Sequence, residues 1–288
     1  MKELVIISGK GGTGKTSITA SFAALAGNAV LADCDVDAAD LHLLLKPAIK
    51  SRHEFKSGNE AIIRPEKCTN CCVCSEVCRF DAIKTVDGKV TIDPFACEGC
   101  GVCVWFCPEH AIDFPESVCG EWYESETRSG TMIHARLAPA AENSGKLVAQ
   151  VRRAAREVAE EQNKKLLLVD GPPGIGCPVI ASVTGATAVL IVTEPTVSGE
   201  HDLERVLKLT GHFKIPALIC VNKWDLNPEV TKRIEDQAEA AGAKVMGRIP
   251  YDKIFTDAMI KGQLIVDYPE TMAAQNITKI WERICQEM

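Results

Sequence analysis

Apolar residues in this chain come in short unbroken runs, each stopped soon afterwards by glycine, aspartate or proline. Leu4–Ile7, Ala29–Ala32, Leu166–Val169, Ala188–Thr193 and Ala217–Val221 are such runs. A short run that is apolar at every position, instead of alternating, predicts a strand buried on both faces of a parallel sheet. Between the runs the period becomes that of a helix. Lys15–Ala26, Lys146–Gln162 opened by Asn143-Ser144-Gly145, Gly199–Thr210 and a tail with Ile277, Ile280, Trp281 and Ile284 on one face all read this way. Alternating β and α units predict an α/β fold with a doubly wound, mainly parallel sheet and a ligand at the carboxyl ends of its strands. Ala38–Leu45 reads as a further helix and Thr131–Leu137 as a strand. Pro47–Arg64 turns polar and irregular, as a domain boundary does.

From Cys68 to Pro108 the texture changes: nine cysteines fall within forty-one residues. Eight form two runs, Cys68-x2-Cys71-x2-Cys74-x3-Cys78 and Cys97-x2-Cys100-x2-Cys103-x3-Cys107-Pro108, related by an internal repeat of 29 residues. This is the ligand spacing of two [4Fe–4S] clusters in which the fourth cysteine of each run serves the other run's cluster. The rival reading is two zinc sites of four thiolates each; the tight spacing disfavours it, because zinc sites separate two C-x2-C pairs by a longer spacer. Ile83–Ile92 carries Asp87-Gly88 at its middle and predicts a hairpin. Cys72 is off the pattern and reads as a packing or spacer residue. Cys34, Cys119, Cys177, Cys220 and Cys285 are scattered, with buried thiols the default.

Composition narrows the class. The 288 residues are 46% hydrophobic with a formal net charge of -7, and so argue against nucleic-acid binding through the whole-protein field. The first residues turn glycine-rich too soon for a signal peptide. No apolar run reaches the ~20 residues of a membrane span. Cluster-type cysteines then point to a reducing, cytoplasmic setting. In the C-terminal helix Lys279 and Arg283 are balanced by Glu282 and Glu287, which favours packing on the core over membrane contact.

The first strand runs into Gly9-Lys10-Gly11-Gly12-Thr13-Gly14-Lys15-Thr16, which fits the P-loop pattern G-x4-G-K-[ST]. Gly11, Gly12, Thr13, Gly14, Lys15, Thr16 and Ser17 are the candidate phosphate-binding residues, with Lys15 at the terminal phosphates and Thr16 on Mg²⁺. Asp33, Asp35, Asp37 and Asp40 follow the second strand. Asp35 is the candidate for positioning water, while Asp37 and Asp40 can equally cap the next helix. Asp170 ends the strand Leu166–Val169 and suits a water-mediated Mg²⁺ contact; Gly171-Pro172-Pro173-Gly174 then reads as a hinge. Arg152, Arg153 and Arg156 cluster on one helix, with a solvated face the default. His134 reads as structural.

The lysine at Lys10 together with the D-x-P-P-G run at Asp170 resembles the deviant P-loop of the MinD/ParA family of ATPases. That resemblance implies an ATP-dependent homodimer in which Lys10 acts in trans, a switch I at Asp33–Asp35, an adenine contact at Asn222 and a base-packing loop that includes Pro250 and Asp252. Asn222-Lys223-x-Asp225 also mimics the guanine-reading motif of GTPases. Residues from about Arg64 to Pro115 resemble a bacterial two-cluster ferredoxin. By that resemblance Cys68, Cys71, Cys74 and Cys107 hold one cluster and Cys97, Cys100, Cys103 and Cys78 the other. Arg79 stands where that pattern usually has proline. The expected organisation is an ATPase domain in two parts, 1–55 and 116–288, around an inserted iron–sulfur domain at 56–115. The expected function is an ATPase whose nucleotide state gates electron transfer or docking of a redox partner; the alternatives are a cluster carrier serving an apoprotein and a positioning protein.

Overall fold

The computed structural model describes residues 1–138 and 144–288. In chain order its strands are β1 Lys2–Ser8, β2 Val30–Asp33, β3 Ala48–Asn59, β4 Ile62–Ile63, β5 Ile83–Val86, β6 Lys89–Ile92, β7 Ile112–Asp113, β8 Glu116–Thr127, β9 Gly130–Leu137, β10 Leu166–Pro173, β11 Ala188–Thr193, β12 Ala217–Asn222 and β13 Lys244–Ile249. Its helices are α1 Lys15–Ala26, α2 Leu41–Leu45, α3 Val73–Val77, α4 Val102–Phe106, α5 Ser144–Glu161, α6 Cys177–Val183, α7 Val197–His212, α8 Pro228–Ala240, α9 Ile254–Lys261 and α10 Met272–Glu287. Asn143, expected to open α5, lies outside the described residues.

Among the described residues nine strands make one sheet in the order β13-β12-β11-β1-β10-β2-β9-β8-β3, parallel at every pairing from β13 to β9. This is the α/β, mainly parallel arrangement that the apolar runs imply. Leu4–Ile7, Leu167–Val169 and Val189–Val192 are fully buried, so these strands had no solvent face to mark with polar residues. Helices close both sides. Phe22 of α1 packs on Trp281 of α10 at 5.1 Å between ring centroids, and Ile277, Ile280 and Ile284 are buried beside them. The tail helix therefore packs on the core. Among the described residues no helix is long and apolar enough to cross a membrane.

Three expectations are corrected. Residues 48–59, expected to be irregular, form the 12-residue strand β3. It is the sheet's edge, and apart from Phe55 and Ser57 its side chains are largely exposed, so no period-2 signal arises. Its Lys50, Arg52, Glu54 and Lys56 place charge along an edge that would otherwise invite further pairing. The helix expected over Ala38–Leu45 is only Leu41–Leu45; Asp40 stands at its N-cap without a side-chain bond and Asp37 is exposed. The arginine cluster is not a solvated face. Arg152 is 4% exposed, and its Nε lies 2.5 Å from Glu3 Oε1 while its Nη1 donates to the carbonyls of Ala181 and Thr184 at the end of α6. Arg156 joins the same carboxylate at 2.6 Å, and only Arg153 faces solvent.

The chain forms two compact units, one of residues 1–53, 121–137 and 144–288 and another that spans Glu54–Gly120. The second unit is small and α+β. Strands β4 and β7 pair antiparallel, and β5 and β6 form a hairpin whose Asp87 (φ 52°) and Gly88 (φ 76°) both take the left-handed conformation that a tight two-residue turn requires. The 29-residue repeat of the sequence recurs in the backbone. α3 and α4 are equivalent, and left-handed residues recur in register at Asn70 and Gly99, Cys72 and Gly101, and Asp81 and His110. Its core is Ala61, Cys74, Ile83, Val90, Cys103 and Ile112.

Two predictions follow from the larger unit. Glu3→Ala leaves the Arg152 guanidinium buried without its counter-charge and should cost about 3–5 kcal/mol in urea unfolding, a penalty typical of a broken buried pair; an effect below about 1 kcal/mol would show the pair to be idle. Burial against Tyr123, and secondarily the charge of His42, lowers the His134 pKa to about 4, with Ser125 Oγ 2.8 Å from its Nε2. Its folded pKa lies below the unfolded value, so stability is full above pH ~6.5 and falls as pH drops through the window from ~6.5 to ~4. Discounted for partial exposure, the loss is on the order of 1–2 kcal/mol. Thermal melts of His134→Gln should be flatter than those of the native protein across that window.

Candidate functional site

The nucleotide-site candidates gather at the carboxyl ends of β1, β2, β10 and β12, where the expected P-loop lies. Gly12 (φ 79°) and Gly14 (φ 88°) are both left-handed, and Gly14 is the N-cap of α1 with no side chain closing it. The first N–H groups of a 12-residue helix thus stay open toward the loop, which is how a backbone presents donors to phosphate. A Cβ on Gly14 would lie 2.5 Å from Asn222 Nδ2, so the loop packs directly on the end of β12.

Lys15 is 6% exposed, and its Nζ lies 3.0 Å from Asp170 Oδ1, 3.3 Å from Asp35 Oδ2 and 3.4 Å from Thr16 Oγ1. Burial acts against its charge, but Asp170 first and Asp35 next outweigh that, and its pKa is raised. Thr19 Oγ1 donates to the same Asp170 oxygen at 2.9 Å. Asp33 is the register partner of Asp170 on the neighbouring strand. Burial, then the Asp170 charge, pushes the Asp33 carboxyl well above the usual carboxylate range. Asp35 is raised too, by burial first, against the pull of Lys15. Asp33 Oδ2, Asp170 Oδ2 and Thr13 Oγ1 are buried without a hydrogen-bond partner. Crowded carboxylates with orphaned buried oxygens fit a divalent cation and its waters. Ser17 is buried in the first turn of α1, and Asp37 and Asp40 lie outside this cluster.

Lys10 is not a free surface lysine. Its Nζ is 2.6 Å from Glu194 Oε1, 3.1 Å from Thr196 Oγ1 and 2.9 Å from Ser198 Oγ, at the first turn of α7. Glu194 also binds Lys223 Nζ at 2.8 Å, and Lys223 in turn donates to the carbonyl of Gly12. Burial tends to raise the Glu194 carboxyl, yet the hydrogen bonds from Lys10 and Lys223 hold it below the usual carboxylate range. Sequence reasoning missed Glu194. The available signal was its place, directly after β11 and next to the P-loop strand.

Of the base-site candidates, Asn222 Nδ2 donates to the Thr13 carbonyl at 2.8 Å. Asp252 Oδ1 accepts from the N–H of Ile254, starting α9, and Asp225 Oδ1 accepts from the N–H of Tyr251, next to the half-buried Pro250. Asn222 is thereby fixed at the P-loop, whereas Asp252 is occupied with its own turn.

In the smaller unit the cysteines line two small cavities of about 20 Å³ each. One is lined by Cys68, Cys71, Cys74 and Cys107, with Cys72 also in its wall. The other is lined by Cys78, Cys97, Cys100 and Cys103. Each combines three cysteines of one run with the fourth of the other. Burial, then neighbouring thiols, raises the pKa of Cys74 and Cys103. Among the described residues no three His, Cys, Asp or Glu side chains are placed to hold a metal ion. Cys34 is buried, and its thiol is pushed up by burial and then by Asp33. Cys220 is buried and raised to about 12, Cys177 is exposed at the start of α6, and Cys285 is exposed on α10. Cys119 donates to the carbonyl of Ser57 at 2.9 Å.

Comparison with known proteins agrees with the larger unit's geometry. A family model described as the CobQ/CobB/MinD/ParA nucleotide binding domain matches residues 4–265. The Methanocaldococcus jannaschii protein MJ0578 is 36% identical over 228 residues, 78% of this chain and 79% of that protein. Over 92 residues, 29% of this chain and 45% of the other, the chain is 35% identical to the formate dehydrogenase iron-sulfur subunit of Wolinella succinogenes. The septum site-determining protein MinD of Pyrococcus horikoshii, complexed with Mg-ADP, superposes with a TM-score of 0.56 at 18% identity, over 98% of this chain and 95% of that one. At that identity the likeness is one of fold.

Gly14→Ala tests the loop geometry. The new methyl meets Asn222 Nδ2 in a backbone conformation that side chains disfavour, so nucleotide affinity should fall at least about tenfold with little change in helix content. Isothermal titration on the native and substituted proteins measures this; equal affinities would show that the loop tolerates the close approach.

Proposed function

This chain belongs to the CobQ/CobB/MinD/ParA nucleotide-binding family, and from that premise we propose that it hydrolyses Mg-ATP and that its nucleotide state controls electron transfer, or docking of a redox partner, through two [4Fe–4S] clusters on residues 56–115. The observation that carries the iron–sulfur part is the pair of four-thiol spaces, each mixing cysteines of both runs. The crossed set of four thiols is what two four-iron clusters in this spacing use. When bound, the clusters supply one-electron storage. Cys68, Cys71, Cys74 and Cys107 hold the first and Cys78, Cys97, Cys100 and Cys103 the second. The name of the formate dehydrogenase relative points the same way.

For the nucleotide, the N–H groups of Gly11, Gly12, Thr13 and Gly14 cradle the phosphates and Lys15 neutralises them. Thr16 takes Mg²⁺ directly and Asp170 through water. Asp35 orients the attacking water. Adenine is favoured over guanine by the resemblance to the MinD/ParA ATPases. Lys10 leaves Glu194 to reach the nucleotide of a second copy, which makes the active form a homodimer. Crossed ligation favours clusters that stay over clusters that are handed on, since each run contributes to both.

Anaerobic reconstitution followed by EPR and redox titration, with and without Mg-ATP, tests the coupling. Two [4Fe–4S] signals whose potential or partner binding shifts with nucleotide are expected; no shift in either would sink the gating, and rapid transfer to an apoprotein would make the chain a carrier. Lys15→Ala should abolish ATP turnover. Lys10→Ala should keep most nucleotide affinity and lose turnover, and normal hydrolysis by that variant would remove the role in trans.

A further inference from the structure

Thr19 stands one helical turn beyond Lys15 in α1, outside the phosphate-loop motif, which ends at Thr16. It is 1% exposed. Its Oγ1 lies 3.0 Å from the carbonyl of Lys15 and 2.9 Å from Asp170 Oδ1. A hydroxyl has a single proton to donate. The helix ladder already serves the Lys15 carbonyl, whereas Asp170 is a buried carboxylate, so the charged oxygen is the stronger claimant. The approach to the carbonyl still matters. It fixes one χ1 rotamer of a stiff, β-branched side chain, and in that rotamer the same oxygen reaches β10.

Asp33 and Asp170 are register partners on β2 and β10, so their side chains leave the sheet on one face. Each carboxylate is held by one oxygen only. Asp33 Oδ1 accepts the N–H of Asp35 at 3.2 Å, and Asp170 Oδ1 accepts from Lys15 Nζ at 3.0 Å and from Thr19. The second oxygens, Asp33 Oδ2 and Asp170 Oδ2, are both buried without a partner. The two donors that hold Asp170 are not equivalent. The Lys15 ammonium also faces Asp35 at 3.3 Å and is the group that a bound phosphate would share. Thr19 is neutral and lies one turn deeper in the helix, so its hold on Asp170 persists when Lys15 is shared with phosphate.

We propose that Thr19 is a positioning residue for the metal site: it pins Asp170 through Oδ1 and so keeps Oδ2 free for the waters of a nucleotide-bound divalent cation. This rests on the Mg-ATP reading above. Thr19 itself carries no chemistry in this role and touches neither phosphate nor metal. Its hydroxyl acts through Asp170, and that action counts only while a cation is bound. A threonine that merely supported the loop would act alike with and without the cation.

Isothermal titration of the full chain with a non-hydrolysable ATP analogue, in Mg²⁺ and in EDTA, tests this. Thr19→Val and Thr19→Ala both remove the hydroxyl and bracket the side-chain volume; Thr19→Ser keeps it. In EDTA all three should bind within about twofold of the native protein. In Mg²⁺ the Val and Ala variants should bind at least about tenfold more weakly, a loss of about 1.4 kcal/mol, and the Ser variant should match the native protein. The Mg²⁺ concentration that gives half of the affinity gain should rise in the Val and Ala variants alone. An unchanged gain from Mg²⁺ in those two overturns the proposal. An equal loss in Mg²⁺ and in EDTA overturns it as well, by making Thr19 a support of the loop, and so does a Ser variant that fails to restore the gain. Where circular dichroism shows that the Val variant does not fold, the Ala and Ser pair decides. A native protein that binds the analogue no better in Mg²⁺ than in EDTA defeats the Mg-ATP reading itself, and this proposal with it.

Discussion

A buried ammonium surrounded by carboxylates ties the nucleotide end of the larger unit together. Lys15 comes from the loop after β1, Asp35 from the segment after β2 and Asp170 from β10, parts of the chain that are far apart in sequence and brought within 3.3 Å of one nitrogen. Each charge has left most of its water, so each depends on the others. The balance is nevertheless uneven. One ammonium faces Asp33, Asp35 and Asp170, and the surplus shows as raised pKa values at Asp33 and Asp35, with buried oxygens left unpaired. A further cation relieves that surplus. A phosphate alone would add to it. The site therefore accepts an anion well only when the anion brings its own metal, which is the chemistry of a magnesium nucleotide. A phosphate bound there would share the three donors of the Lys15 ammonium with Asp35 and Asp170, near the ends of β2 and β10. Those ends carry the segments expected to act as switches.

A second charged cluster lies across the P-loop. Glu194 holds Lys10 on one side and Lys223 on the other, and Lys223 holds Gly12. The two flanks of the phosphate loop are thus stabilised by opposite means, a cation among anions at Lys15 and an anion between cations at Glu194. Movement of Lys10 away from Glu194 would leave that carboxylate with Lys223 alone, still paired, so the cost of releasing Lys10 is moderate and not that of orphaning a buried charge.

What the sequence makes legible follows from which forces are local. Strands buried on both faces announce themselves as unbroken apolar runs, and the P-loop is readable because its glycines encode backbone conformations directly. β3 is invisible because neither face is buried enough to impose a period. Arg152 reads as a surface arginine because its counter-charge, Glu3, is 149 residues away. Glu194 is half legible: its place after β11 can be read, whereas the two lysines that give it significance are brought to it by the fold. The cysteine runs are the mixed case. Spacing carries the ligand type, and the crossed grouping of thiols around two spaces is a property of the folded chain.

Cys72 shows how repetition constrains this smaller unit. It sits in the left-handed conformation at φ 63°, where its repeat-mate is Gly101 at φ 74°. A side chain there costs about 1–2 kcal/mol, and the Sγ donation to the Asn70 carbonyl at 3.4 Å is a small local return. The strain is accepted because the turn before each short helix has to place three cysteines around one space, whatever residue occupies the bend. Backbone identity is thus enforced twice by the same geometric demand. The surface is under no such demand, since a glutamate and a phenylalanine fit one exposed position equally well. Divergence there, with Glu109 at one space and Phe80 at the other, leaves the repeated backbone unchanged.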